Sequence, residues 1–180
     1  MSGRKPPVKG DAVDTLEASR QTQAEHRETA ERAILEAAKV IVAERGLDAL
    51  TLHEAGEAAG YSRALPGHYF GTKSALLAAL ADHIIAGYAI RIREAVGPAD
   101  GLDSLCERIC FHFDDACRDP VTVRAFQCML AGGLTRSDLA PIMDQLNRNS
   151  VDGLASIIKL ARDKGEVRAD VRQSDKASLI

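Results

Sequence analysis

Arg63 carries a planar guanidinium that can form two parallel hydrogen bonds to guanine O6 and N7, or clasp a phosphate instead. Beside it, Ala64 and Leu65 are of a size to pack on a thymine methyl, and His68 suits either a base or a phosphate. Thr51 stands where a helix should start, so its hydroxyl and free amide can share a phosphate. A second chemistry sits downstream, where Cys106, Cys110 and Cys117 recur at helical spacing, with His112 near them and Cys128 beyond. Two thiolates four residues apart on a helix can share a soft ion or respond to oxidants. Cysteine also behaves as a small core hydrophobe, and these three coincide with an apolar stripe and form no Cys-x-x-Cys. The core reading is therefore preferred and no metal is expected.

Nucleophile elbows, phosphate-cradling glycine loops and zinc-hydrolase spacings are missing from the sequence. Asp114-Asp115 and the Glu54/Glu57 pair read as surface charge rather than as paired catalytic acids. No enzyme and no cofactor are expected.

The elements that must position Arg63 are short. Thr51-Leu52-His53-Glu54 has capping-box form, with the threonine hydroxyl taking an amide one turn in and Glu54 reaching back. Ala55, Ala58 and Ala59 give a small-residue face on which a second helix can lie close. Gly60 offers a left-handed turn, and Ser62 is the expected cap of the next helix. Two short helices joined by such a turn make a helix-turn-helix, whose second helix enters the DNA major groove. Pro66 and Gly67 disfavour helix just after that cap, so the second helix is either distorted or begins later.

The series Arg45-Gly46, Leu50-Thr51, Ala59-Gly60-Tyr61-Ser62-Arg63, Tyr69-Phe70 and Thr72-Lys73-Ser74-Ala75-Leu76 resembles the tetracycline-repressor (TetR) family. The likeness covers about Arg27 to Leu77, and Pro66-Gly67 depart from the apolar-aromatic pair usual there. The resemblance implies an all-helical homodimer with an N-terminal DNA-binding head and a larger C-terminal domain. That second domain would bind a small-molecule effector and, on binding, release a near-palindromic DNA operator. It also implies that Tyr69 and Lys73 contact phosphate, a task the phenol and the ammonium at a helix start both suit. Phe70 is expected in the core.

The predicted organisation is a mobile basic and polar arm over 1–26, a helix-turn-helix domain over 27–72, and a helical effector and dimerisation domain over 73–180. Arg4, Lys5 and Lys9 lie in that arm, and Asp14 to Glu28 can extend the first helix outward. That helix runs from about Arg27 to Arg45, with Ala30, Ile34, Ala38, Ile41 and Val42 on one face. Thr72 should cap a long helix over about Lys73–Val96, whose stripe is Leu76, Leu77, Leu80, Ile84, Tyr88 and Ile92. After the break at Gly97–Gly101 come helices over Leu102–Arg118, from Asp119-Pro120 to Gly132-Gly133, and from Ser137-Asp138 to about Lys164. The stripe Leu102, Leu105, Cys106, Ile109, Cys110, Phe113 and Cys117 should face inward.

Tyr88, Phe111, His112, Phe126, Gln127 and Met129 are candidate lining for an effector pocket, although each is also ordinary core material. Val151, Leu154, Ile157, Ile158 and Ala161 spread over a wide arc, as expected of a helix buried against both its own domain and a partner. Ser174 to Ile180 reads as the start of a further helix.

Composition bounds these readings without deciding them. With 46% hydrophobic and 27% charged residues the chain is ordinary globular material. A net charge of −3 does not favour nucleic-acid binding by bulk electrostatics, so a head like this must rely on placed contacts. No uninterrupted apolar run approaches a membrane span, and a cytoplasmic chain with reduced thiols and no membrane partner is expected. Two readings compete with the ligand-responsive regulator: a redox- or metal-responsive regulator using the cysteines, and a helical protein-interaction module with a degenerate head.

Overall fold

A computed structural model describes residues 10–98 and 100–168, with side chains from residue 22 onward. The described residues form seven helices and no strand. They are α1 (Gly10–Arg45), α2 (Leu52–Ala58), α3 (Leu65–Phe70), α4 (Lys73–Val96), α5 (Leu102–Arg118), α6 (Pro120–Gly133) and α7 (Ala140–Asp163). Residues 10–26, expected as part of a mobile arm, continue α1 as helix. Arg4, Lys5, Lys9 and Ser174 to Ile180 lie outside the described residues.

The predicted stripes of α1 and of the first half of α4 build one core. Ile34, Ala38, Ile41 and Val42 of α1 meet Leu76, Leu77, Leu80, Ala81 and Ile84 of α4, with Leu50 and Ala55 from the head. Ala125 and Met129 of α6, together with Leu139 and Met143, complete the same cluster. Head and body therefore share their apolar interior, and α1 packs most extensively on α6. Truncating one of these buried leucines to alanine typically costs about 2–5 kcal/mol. Phe70 packs against the cluster as expected.

Three expectations are corrected. By length and composition α4 is apolar enough to cross a membrane, although Asp82 and His83 interrupt its apolar run. Core helices share that property, and its Leu76–Ile84 face fills the interior. The second correction concerns α5. Leu105 is half-buried, but Cys106, Cys110 and Cys117 are exposed, as are Leu102, Ile109 and Phe113. The side of α5 turned inward carries Ser104, Arg108, Phe111 and Asp115. Asp115 accepts two bonds from Arg91 of α4, at 2.9 and 2.8 Å, and Arg108 Nη2 donates to the Gly97 carbonyl at 2.6 Å. Polar groups have taken the inner side of this helix; all but the buried Arg108 Nε, which has no partner among the described residues, are bonded.

The third correction is at the start of α7, which begins at Ala140 rather than at Ser137-Asp138. Asp138 caps nothing, because its carboxylate is held by Arg136 at 3.1 and 2.9 Å and by the Ser74 hydroxyl at 2.7 Å. The Arg136 bonds first, then Ser74, hold its carboxyl down to about 2. A depressed folded value means stability that is present above the ordinary carboxylate range and lost as pH falls towards about 2. The urea midpoint of the wild type should therefore exceed that of Asp138→Asn at neutral pH. The gap should close as the pH is lowered to about 2, which paired unfolding curves will measure.

Candidate nucleic-acid interface

The turn between α2 and α3 is built as its glycine requires. Gly60 has φ +78°, Tyr61 N bonds Gly56 O at 2.9 Å and Gly60 N bonds Glu57 O at 3.1 Å. This pair of bonds closes α2 and reverses the chain. Thr51 caps α2 by accepting from Glu54 N at 3.1 Å. The Glu54 carboxylate accepts from the Thr51 hydroxyl at 3.3 Å and from Arg45 at 3.1 Å.

Ser62 is not the cap of α3. The helix begins at Leu65 with Ala64 in the cap position and no side-chain cap bond, so Ser62 and Arg63 lie in the preceding turn. Proline explains the late start. Pro66 falls in the first turn, where an amide has no intrahelical partner to lose. Its ring is fully buried and rests on Gly56 of α2. A Cβ on Gly56 would lie 2.8 Å from Ser62 O and 2.9 Å from Pro66 Cδ, so only glycine admits this approach. The close contact was expected at Ala55, Ala58 and Ala59, but Ala58 is exposed. Leu65, expected to meet a thymine methyl, is half-buried and packs against the core. Ala64 and His68 are exposed beside it.

Arg27, Arg45, Arg63 and Lys73 each have a partner. Arg63 Nη2 lies 2.8 Å from Glu57 Oε1, with both side chains largely exposed. That hydrogen bond raises the arginine pKa and lowers the glutamate's. Arg45 pairs with Glu54, and Arg27 with Glu31. Arg27 also lies over the Tyr69 ring, 5.2 Å from its centroid, a cation–π contact that adds a guanidinium beside the phenol. Nothing in the sequence between them signals that Arg27 and Tyr69 meet. Thr72 caps α4 by accepting from Ala75 N at 3.1 Å, and Lys73 Nζ donates to the Asp48 carbonyl at 3.2 Å. Exposed ion pairs contribute little to stability and exchange partners readily, so these cations remain available to an anion.

The residues predicted to line an effector pocket divide. Tyr88, Phe111 and His112 come together, with ring centroids 6.0 and 5.9 Å from Tyr88 and its hydroxyl 3.4 Å from His112 Nδ1. Burial first, then the nearby Asp115, pushes the Tyr88 hydroxyl pKa up. Phe111 also lines an open groove of about 460 Å³ with Arg91, Glu94, Asp115, Arg118 and Asp119. Met129 is fully buried in the core, Phe126 packs against it, and Gln127 is exposed on α6. These three do not join the cluster around Tyr88. On α7, Ile157 and Ala161 are buried within the chain, whereas Val151 and Leu154 are exposed and Ile158 is half-buried. No cluster of three or more His, Cys, Asp or Glu suited to a metal occurs among the described residues.

Residues 34–80 match the family model described as bacterial regulatory proteins, tetR family. The fold resembles that of a Rhodococcus sp. structure assigned to the TetR-family transcriptional regulators, at 22% identity and a TM-score of 0.70. That alignment covers 81% of this chain and 78% of the other. It also resembles a TetR family transcription regulator from Marinobacter aquaeolei, at 18% identity and a TM-score of 0.62, covering 74% and 70%. No curated protein is significantly similar in sequence.

The two glycines beside Pro66 should answer oppositely to the same change. Gly56→Ala should lower stability by about 1–3 kcal/mol, because Ser62 O and the proline ring must move away. Gly67→Ala meets nothing within 4 Å and should gain up to about 1 kcal/mol from helix propensity. Urea unfolding of the two variants checks both signs.

Proposed function

We propose that this chain, a member of the tetR family of bacterial regulatory proteins through residues 34–80, is a ligand-responsive repressor that binds a near-palindromic operator as a homodimer. Its family is one of transcription regulators, not of enzymes. The observation that carries the DNA-binding part is the clustering of contact groups along a single stretch. Thr51 caps the start of α2, and Arg63, Ala64, His68, Tyr69 and Lys73 fall on the turn after α2, on α3 or on the first residue of α4. Arg63 leads α3 from the turn and is the base-reading candidate, with Ala64 and His68 beside it. Thr51, Ser62, Tyr69 and Lys73 hold phosphates, with Arg27 as an added cation near Tyr69.

The effector would be a small molecule taken between α4 and α5, where Tyr88, Phe111 and His112 meet and Arg91 and Asp115 are paired. Exposed Val151 and Leu154 on α7 and the outward apolar side of α5 offer surface to a second copy, since apolar patches of this kind mark interaction sites. A regulator of this type works in the cytoplasm, where its operator is.

The cysteine-based alternative gains one observation, the exposure of Cys106, Cys110 and Cys117. A thiol switch would require operator affinity to fall with oxidation of those residues.

Binding to duplex DNA across a salt series tests the reading. Lys73→Ala should weaken binding to all sequences alike and lower the salt slope by about one. Arg63→Ala should instead relax preference at one base position in each half-site, and equal effects of both on every duplex would contradict its role. A further variant probes the ion pair directly. Glu57→Gln removes the competitor for Arg63 and a negative charge from the DNA face, so it should tighten binding severalfold at low salt. Affinities of this variant and the wild type on one duplex settle the sign.

A further inference from the structure

Between α6 and α7 the chain turns through residues 134–139, outside the segment that matches the regulatory family. Arg136 in this turn spends its guanidinium on two carboxylates. Nε and Nη2 meet the two oxygens of Asp138 at 3.1 and 2.9 Å, and Nη1 reaches Asp48 Oδ1 at 3.4 Å. Asp48 belongs to the loop between α1 and α2, and its backbone carbonyl is the group that receives Lys73 Nζ. Asp138 Oδ2 also accepts from Ser74, one residue past Lys73. One arginine of the body thus joins both pieces of chain that carry the Lys73 ammonium.

The apolar layer beneath gives the junction a rigid base. Leu139 is fully buried. A Cβ on Gly132 would collide with the Leu47 side chain and lie 3.0 Å from Leu139 Cδ1, so α6, the 46–50 loop and the turn are in close register. Close-packed interiors transmit displacement rather than absorb it. A shift of α6 or α7 must be felt at Asp48 or at the first turn of α4.

We propose that Arg136 is a positioning residue for DNA binding: by tying Asp138–Ser74 and Asp48 together it sets where the Lys73 ammonium stands, without itself touching DNA. The inference rests on the DNA-binding reading above. The two arms of the junction differ in strength. Asp138 is largely covered and bound by a planar fork that lysine cannot reproduce, whereas the Asp48 side chain is fully exposed and contributes little. Most of the positioning runs through Asp138 and Ser74. The held carboxyl value at Asp138 agrees with that order.

The test combines hydrogen exchange with a double-variant cycle on a random-sequence duplex. In Arg136→Ala, amides of residues 72–80 should exchange severalfold faster while those of 34–42 in α1 stay at the wild-type rate. Binding should weaken about tenfold with about one unit lost from the salt slope, as for Lys73→Ala. The variant carrying both changes should bind no more weakly than Lys73→Ala alone, because the two act through one contact. Ser74→Ala, which deletes a single hydroxyl, should show a smaller change of the same kind and guards against misfolding of the arginine variant. Additive losses, or exchange over 72–80 unchanged in both variants, would overturn the proposal. A folded wild type that binds no duplex would instead remove the DNA-binding reading, and the exchange data alone would then decide whether Arg136 orders the start of α4.

Discussion

The seating of Pro66 on Gly56 governs what the head can present. Proline cannot donate an amide, so it is tolerated in the first turn, and α3 begins one residue before it. The glycine opposite has no side chain, so the ring can sink fully into the space between α2 and α3. The rest follows from that contact. Ser62 and Arg63 are left in the turn, Leu65 packs partly against the core, and Ala64 and His68 remain exposed with Arg63. An apparent defect in α3 is a buried packing element.

Much of this architecture was legible in the sequence because it rests on local chemistry. Capping threonines at 51 and 72, the Gly60 turn and the leucine stripe of α4 all depend on residues within a turn or two of each other. The Gly56–Pro66 contact joins residues ten apart along the chain, and each alone reads as a weak helix position. Arg27 beside Tyr69 and Arg136 beside Asp48 are longer-range meetings still, visible only once α1 and α6 are packed.

The α5 helix shows where periodicity misleads. A stripe at helical spacing identifies two unlike faces but does not say which one turns inward. Here Arg91 and the Gly97 carbonyl offer partners for Asp115 and Arg108, and Ser104 caps back onto Gly101. Those bonds hold the polar side against α4, with only the buried Arg108 Nε left unpartnered among the described residues, and leave the cysteine-bearing side outward. The same reasoning separates Met129, sealed in the core, from Tyr88 and Phe111, which pair at the edge of a groove. Charge misled less. The negative balance of the chain recurs locally as glutamates that hold Arg27, Arg45 and Arg63, a neutralised but exchangeable set of cations.

The central claim is that a recognition helix shortened by Pro66 still reads DNA sequence, and one selection tests it. Purified, folded protein would be used at moderate salt to select bound duplexes from a random pool. The account predicts enrichment of a near-palindromic site with half-sites about one helical turn or more apart, as a two-fold pair of such heads requires. Recovery of duplexes with no shared sequence, from protein shown to be a folded dimer, would contradict it.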